Sequence, residues 1–123
     1  AEDERTAKLG GANDLTPEYE ALLGTEDLRS QQRAILRADN KAGIRMIEGS
    51  FRIDWVRRKP GVSLKGSVAS IEGCVDMTSA VYVERGKPGF RGSVLVETVH
   101  LGPVNGSLKA VQYQFRVVKT CAG

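Results

Sequence analysis

The stretch GSVLVETVHLGPVNGSLKAVQYQF, residues 92–115, decides the fold that the sequence predicts. Two segments rich in β-branched residues flank GPVNG, residues 102–106, which supplies the glycine, proline and asparagine typical of a turn. Apolar residues alternate with glutamines over residues 111–115, the period of a strand with one buried face. The stretch therefore predicts an antiparallel hairpin, with the single histidine, His100, near the rim of its first strand.

The period of two recurs upstream and extends the hairpin into a sheet. In residues 50–58, Phe51, Ile53 and Trp55 alternate with charged residues. Three further segments of strand length lie between residues 62 and 101, separated by glycine- and proline-containing turns. The predicted fold class is α+β: short N-terminal helices followed by a curled antiparallel β-meander of about five strands, with barrel-like closure left open.

Four Gly-Ser pairs begin at residues 49, 66, 92 and 106, each before an apolar segment. Their unequal spacing excludes a repeat architecture of fixed period. Glycine adopts the positive φ that turns and bulges require. We interpret the pairs as the starts of strands, with Gly49 and Gly66 as bulges that bend the sheet.

The chain divides into three predicted parts, which are a flexible acidic tail (1–15), a helical segment (16–43) and an antiparallel β domain (44–123). Thr16 and Thr25 each precede acidic residues in the pattern of a helix N-cap. The first 29 residues carry eight acids and three bases, a net charge of −5. The other 94 carry seven acids and fifteen bases, a net charge of +8. This asymmetry predicts that the acidic N-terminal part acts as an electrostatic arm.

Basic residues cluster in two predicted hairpin loops, which a meander would place at one end of the sheet. The predicted partner-binding residues are Arg57, Arg58, Lys59, Arg85, Lys87 and Arg91. Such a positive rim favours an acidic protein partner over nucleic acid, because the aromatic residues lie on faces that the alternation predicts to be core.

Two cysteines, Cys74 and Cys121, form a disulfide in an oxidising compartment or remain two buried thiols in a reducing one. The sequence leaves both outcomes open. The start AEDERTAK lacks methionine and is typical of a processed N-terminus. We therefore expect an exported or organelle-imported mature protein, with the compartment unknown.

The sequence holds no catalytic set that we can name. One histidine and two distant cysteines are too few for a zinc site, and no phosphate-binding loop has the required spacing. No apolar run approaches the roughly 18 residues of a membrane-spanning helix. We accordingly predict no catalytic residues, no metal, no cofactor and no membrane span.

The sequence predicts a non-catalytic accessory or linker subunit that docks within a larger assembly through its acidic arm and basic loops. Its partners would be other protein subunits, with a homo-oligomer also left open. The alternative is a small-molecule module for an apolar ligand or pigment-like cofactor, lined by Phe51, Trp55, Tyr113 and Phe115. A nucleic-acid-binding module is the third hypothesis.

Overall fold

The computed structural model describes Lys8, residues 15–60 and residues 66–122. In this part of the chain two helices precede seven strands, and every strand pairing is antiparallel. The helices are α1 (Pro17–Leu22) and α2 (Glu26–Ala42). The strands are β1 (Ile44–Glu48), β2 (Arg52–Arg58), β3 (Ala69–Asp76), β4 (Val81–Glu84), β5 (Lys87–Arg91), β6 (Val94–Val104) and β7 (Ser107–Val118). The predicted α+β class is confirmed.

Side-chain caps fix where both helices begin, as the sequence predicts. The Thr16 hydroxyl accepts a hydrogen bond from the backbone N–H of Tyr19, and the Thr25 hydroxyl accepts one from Leu28. Helix α2 ends at Gly43, which has a left-handed φ of 70°. The predicted tail, residues 1–15, lies almost wholly outside the described residues. Its last residue, Leu15, is described and is buried beside Leu23 and Leu28.

The strands form a four-stranded sheet of order β2-β3-β6-β7 and a three-stranded sheet of order β1-β4-β5. Three connections, β1–β2, β3–β4 and β5–β6, lead from one sheet into the other. Segments that are paired in one sheet continue as paired segments in the other. We call each continuous segment a ribbon, so that the four ribbons are β1–β2, β3–β4, β5–β6 and β7, and the fold is a four-ribbon meander. A bend divides three of the ribbons into two strands each, and the structure therefore has seven strands where the sequence predicts about five. Among the described residues each sheet keeps two edge strands, so barrel-like closure is not found.

Glycines occupy the bends because the backbones of neighbouring ribbons lie in close contact where they pass from one sheet to the other. Gly49, between β1 and β2, has a φ of 84°, and a Cβ atom at this position would overlap the carbonyl oxygen of Ser79. Gly92, between β5 and β6, lies equally close to Met77. Gly49 therefore bends the chain between two strands and is not the predicted bulge within a strand, since the register shift of β1 lies between Met46 and Glu48. Gly66 instead lies in a turn before β3, so its assignment as a bulge within a strand is wrong.

The β6–β7 hairpin is longer than the predicted one. A two-residue turn at Asn105 and Gly106, both at positive φ, replaces the predicted five-residue turn. Asn-Gly supplies the two left-handed residues that the tightest hairpin turn requires, so strand pairing continues to Val104 and Ser107. His100 consequently lies inside the sheet, and its prediction as a rim residue is wrong.

The two faces of the four-stranded sheet differ in what covers them. We call the face that packs against α1 and α2 the helix face; it includes Val99 and Tyr113. We call the other the disulfide face, because Cys74 lies on it with Val94 and Val96 in a second core cluster. Among the described residues, no helix has the length and hydropathy of a bilayer-spanning segment.

Candidate functional site

An apolar row crosses the helix face, and no element among residues 15–60 and 66–122 covers it. Strand register places Ile53, Val75, Leu95 and Val117 side by side on the four strands, and Val56 and Phe115 lie in the adjacent row. Ile53, Val56, Phe115 and Val117 are 62%, 60%, 60% and 65% exposed. We call these six residues the apolar patch.

The patch is exposed because the helices contact only part of the sheet. Among the sheet strands that the structure describes, α1 and α2 make their main contacts with β7 in the larger sheet and β1 in the smaller one. The buried leucines in and beside the helices, Leu15, Leu23 and Leu28, pack against Ala110 and Tyr113, beyond the row that holds Val117. A sheet face normally buries its apolar side against another layer, and the described residues supply no second layer to this half of the sheet.

On the opposite face, the C-terminal residues are joined to the sheet. Cys74 and Cys121 form a disulfide with their Cα atoms 5.7 Å apart. The indole Nε1 of Trp55 donates a hydrogen bond to the carbonyl oxygen of Cys121 at 2.9 Å. Trp55 is thereby fixed on the disulfide face, beside the exposed cations described next.

Three cations surround one buried carboxylate on the disulfide face. Glu72 Oε1 accepts hydrogen bonds from Arg57 Nη2 at 2.7 Å and from Arg57 Nε at 3.1 Å. Glu72 Oε2 accepts one from Lys59 Nζ at 2.8 Å and lies 3.8 Å from Arg116 Nη1. The Glu72 side chain is 3% exposed, whereas that of Arg57 is 64% exposed. We call these three cations, Arg57, Lys59 and Arg116, together with Glu72, the basic cluster.

The electrostatics of the cluster follow from this geometry. Hydrogen bonds from Lys59 and then from Arg57 lower the pKa of Glu72 from its ordinary value of 4.5 to about 2, against the opposing effect of burial. The carboxylate therefore stays ionised, and the cluster keeps a net charge of +2. The Arg57 guanidinium also lies 4.3 Å from the centre of the Trp55 ring, in cation–π geometry.

We expect Glu72→Gln to lower the free energy of unfolding by about 2 kcal/mol at neutral pH, since three cations lose their counter-charge. Screening by water around the exposed arginines keeps the loss below that of a fully buried pair. Because the folded-state pKa is depressed, this contribution is complete above pH 4.5 and disappears as the pH falls through about 2. Urea unfolding of both proteins from pH 7 to pH 2 measures it. A difference between the two proteins that does not change with pH would contradict this assignment.

His100 has both ring nitrogens engaged and no exposure to solvent. Nδ1 lies 2.7 Å from the Ser70 hydroxyl, and Nε2 lies 3.3 Å from Gln114 Oε1. The network stabilises the interior of the sheet and presents no atom to a substrate.

The first predicted basic loop is divided between the two faces. Arg57 and Lys59 contact Glu72 on the disulfide face, whereas Arg58 pairs opposite Ile71 and lies on the helix face. Period-two alternation in a strand separates neighbouring residues in this way.

The second predicted basic loop is a tight turn followed by a strand of the other sheet. Arg85 occupies the β4–β5 turn, where its backbone N–H donates to the Gly43 carbonyl at 2.8 Å. Lys87 begins β5 opposite Glu84, and Arg91 ends that strand at the bend. The structure thus does not bring the six predicted residues into one rim, because the two hairpins belong to different sheets.

The predicted ligand-lining aromatic residues are also dispersed. Trp55 lies on the disulfide face, Phe115 on the apolar patch, and Phe51 just before β2. Tyr113 alone of the four lines the cleft between the helices and the sheet.

That cleft has a volume of about 400 Å³ and lies between α1, α2 and the β6–β7 hairpin. Its polar atoms occur in hydrogen-bonded pairs: Tyr19 Oη donates to Gln32 Oε1 at 3.0 Å, and Tyr113 Oη donates to Glu97 Oε1 at 2.6 Å. The other lining residues are mainly apolar: Leu22, Leu23, Leu28, Val99, Leu101, Leu108, Lys109 and Ala110.

The sequence predictions include the cysteines and Arg57 but not Glu72. A signal was present, because Glu72 alternates with Ser70 and Cys74 on one face of its strand. In the part of the chain that the structure describes, no group of histidine, cysteine and acidic side chains is arranged to hold a metal ion. No protein-family model, curated protein sequence or solved structure matches the chain at a significant level.

Proposed function

We propose that this protein is a non-catalytic accessory subunit that docks onto other proteins within a larger assembly. The observation that carries the proposal is the apolar patch, where Ile53, Val56, Phe115 and Val117 leave most of their side-chain surface in water. Contiguous exposed apolar surface on a folded domain marks an interaction site. The partner surface would supply the missing second layer over the sheet.

Charge supports the same function from the other side of the sheet. The basic cluster carries a net charge of +2 on the disulfide face, where it favours an acidic partner. The acidic arm of the first residues is the third element of the proposal, and it would contact a basic neighbour. The arm rests on sequence composition, whereas the patch and the cluster rest on described contacts.

The proposal is tested with the double variant Phe115→Glu/Val117→Glu, expressed in the native source and compared with the wild type by native mass spectrometry. We expect the wild-type protein in a complex larger than its own 13.3 kDa, and the double variant at the mass of the free chain. We expect assembly to be lost because the interface would have to bury two unpaired carboxylates among apolar side chains, which costs free energy.

Val68→Glu is the matched control, because Val68 is 68% exposed but lies outside the patch. It should assemble like the wild type. A wild-type protein that migrates alone would contradict the docking function, and a double variant that assembles normally would contradict docking through the apolar patch.

The cleft favours a second candidate function, binding of an apolar small molecule or pigment-like cofactor. Its volume of about 400 Å³ falls within the roughly 300–1,000 Å³ of ligand pockets. We expect an apolar naphthalene dye to bind the wild type and to bind Leu101→Trp about tenfold more weakly, since the indole fills the cleft. Val56→Trp, outside the cleft on the same face, is the control. Equal dye affinity for the wild type and Leu101→Trp would exclude the cleft as the site.

A further inference from the structure

We propose that the edge strand β2 binds a partner peptide by strand addition, and that this peptide alternates acidic and apolar residues. The inference rests on the proposed docking function and names the partner's chemistry. β2 pairs with β3 along one side, and no strand among the described residues pairs with its other side. An unpaired strand edge offers a row of backbone donors and acceptors to an extended peptide.

The geometry of β2 defines where the peptide lies. A register shift at Asp54 interrupts the strand, and from Trp55 to Arg58 the pairing with β3 is regular. Every β2 residue except Trp55 is exposed, so the outer edge is open to an added strand. The regular segment is long enough for a short peptide to form a ladder of backbone hydrogen bonds.

Each face of the β2 edge sets one half of the peptide pattern. On the disulfide face, Arg57 is held by Glu72 and Trp55 in a fixed orientation and remains 64% exposed. On the helix face, the regular segment presents Val56, which belongs to the apolar patch, followed by Arg58, and Ile53 continues the patch beyond the register shift. Alternate side chains of an added strand point to opposite faces. Acidic residues therefore contact the basic cluster while the intervening apolar residues extend the patch.

The cations select this peptide against other strands. Charged side chains on an edge discourage pairing with a strand of like charge, and the same side chains attract one of opposite charge. Because the Arg57 guanidinium is already oriented before binding, less conformational entropy is lost when the complex forms.

Nucleic acid fits this surface less well than a peptide does. Trp55 cannot serve as a stacking platform, because Arg57 covers its ring and Cys121 accepts its N–H. Arg52, on the same face beyond Trp55, is paired with Asp54 and Asp76, so it does not extend the positive charge of the cluster along the strand. A strand of phosphates needs a longer continuous track of cations.

The test uses Trp55 as the reporter, since it is the sole tryptophan of the sequence. The probe is a seven-residue peptide that alternates valine and glutamate and is blocked at both termini. We expect saturable change in Trp55 emission and slower hydrogen exchange of the β2 amides. Arg57→Gln should weaken binding by about tenfold, a loss typical of an interface hot spot. Arg58→Gln, the adjacent residue on the other face, should bind within about twofold of the wild type.

A second peptide, N-methylated at alternate residues, keeps every side chain but cannot form the backbone ladder. It should not bind. Equal binding of both peptides, absence of any response to the first, or a stronger response to a single-stranded oligothymidylate would each overturn the proposal. If the peptide fails while Phe115→Glu/Val117→Glu still loses assembly, docking stands and only the β2 assignment falls. If the peptide binds while that variant still assembles normally, the β2 site stands and the patch does not carry docking.

Discussion

Reduction of the Cys74–Cys121 disulfide should lower the free energy of unfolding by about 4 kcal/mol. The bridge spans 47 residues, and closing a loop of that length removes about this much conformational free energy from the unfolded chain. Urea unfolding with and without a reductant measures the loss. The bridge also holds the Cys121 carbonyl oxygen where it accepts the hydrogen bond from the Trp55 indole N–H. Reduction should therefore shift Trp55 emission before global unfolding.

The double variant Cys74→Ala/Cys121→Ala provides the control, because a reductant should not change its unfolding midpoint. Its stability should match that of the reduced wild type to within about 1 kcal/mol, the cost of the altered side chains. Identical midpoints for the oxidised and the reduced wild type would show that the bridge does not constrain the unfolded chain.

The substitution Gly49→Ala should cost about 3 kcal/mol. Part of the cost is strain at a φ of 84°, and the rest is overlap of the new Cβ with the backbone at Ser79, where the two crossing ribbons meet. Thermal unfolding followed by circular dichroism measures it.

Gly86→Ala separates these two causes. Gly86 also has a positive φ, 76°, but a Cβ atom there would meet nothing within 4 Å. It should therefore cost about 1 kcal/mol, from backbone strain alone. Equal costs at both positions would mean that the close approach at the bend contributes nothing.

Sequence reasoning predicted the features that local chemistry determines. Thr16 and Thr25 cap their helices, and Gly43 ends α2, because caps depend on a few neighbouring residues. The alternation in β7 likewise places Tyr113, Phe115 and Val117 on one face. In β2 the prediction that Ile53 and Trp55 share a face is wrong, because the register shift at Asp54 puts Ile53 on the helix face and Trp55 on the disulfide face. The length of the β6–β7 hairpin was underestimated because Gly102 and Pro103 were assigned to the turn, although Asn105 and Gly106 suffice for it.

The bends could not be predicted, because they depend on contacts between neighbouring ribbons whose contacting residues are far apart in the sequence. Gly49 and Gly92 resemble ordinary turn glycines in the sequence, and only the approach of Ser79 and Met77 distinguishes them. Because of these bends, Arg57 and Arg85 lie in hairpins of different sheets, and the six basic residues do not form the one rim that the sequence predicts.

The candidate site was predictable in its residue types but not in its arrangement. Arg57 was expected to contact a partner, and it remains exposed, but the fixing of its guanidinium by Glu72 depends on strand register. The exposed state of Phe115 depends on where the helices pack, which alternation alone does not reveal.

Carbene footprinting of side chains tests the docking account most directly, applied to the isolated protein and to the protein within its native assembly. Phe115 and Val117 should be labelled in the isolated protein and protected in the assembly, because the partner covers the apolar patch. Phe90, exposed on the three-stranded sheet, serves as the internal reference and should be labelled in both. Equal labelling of Phe115 in the two states would contradict docking through this face.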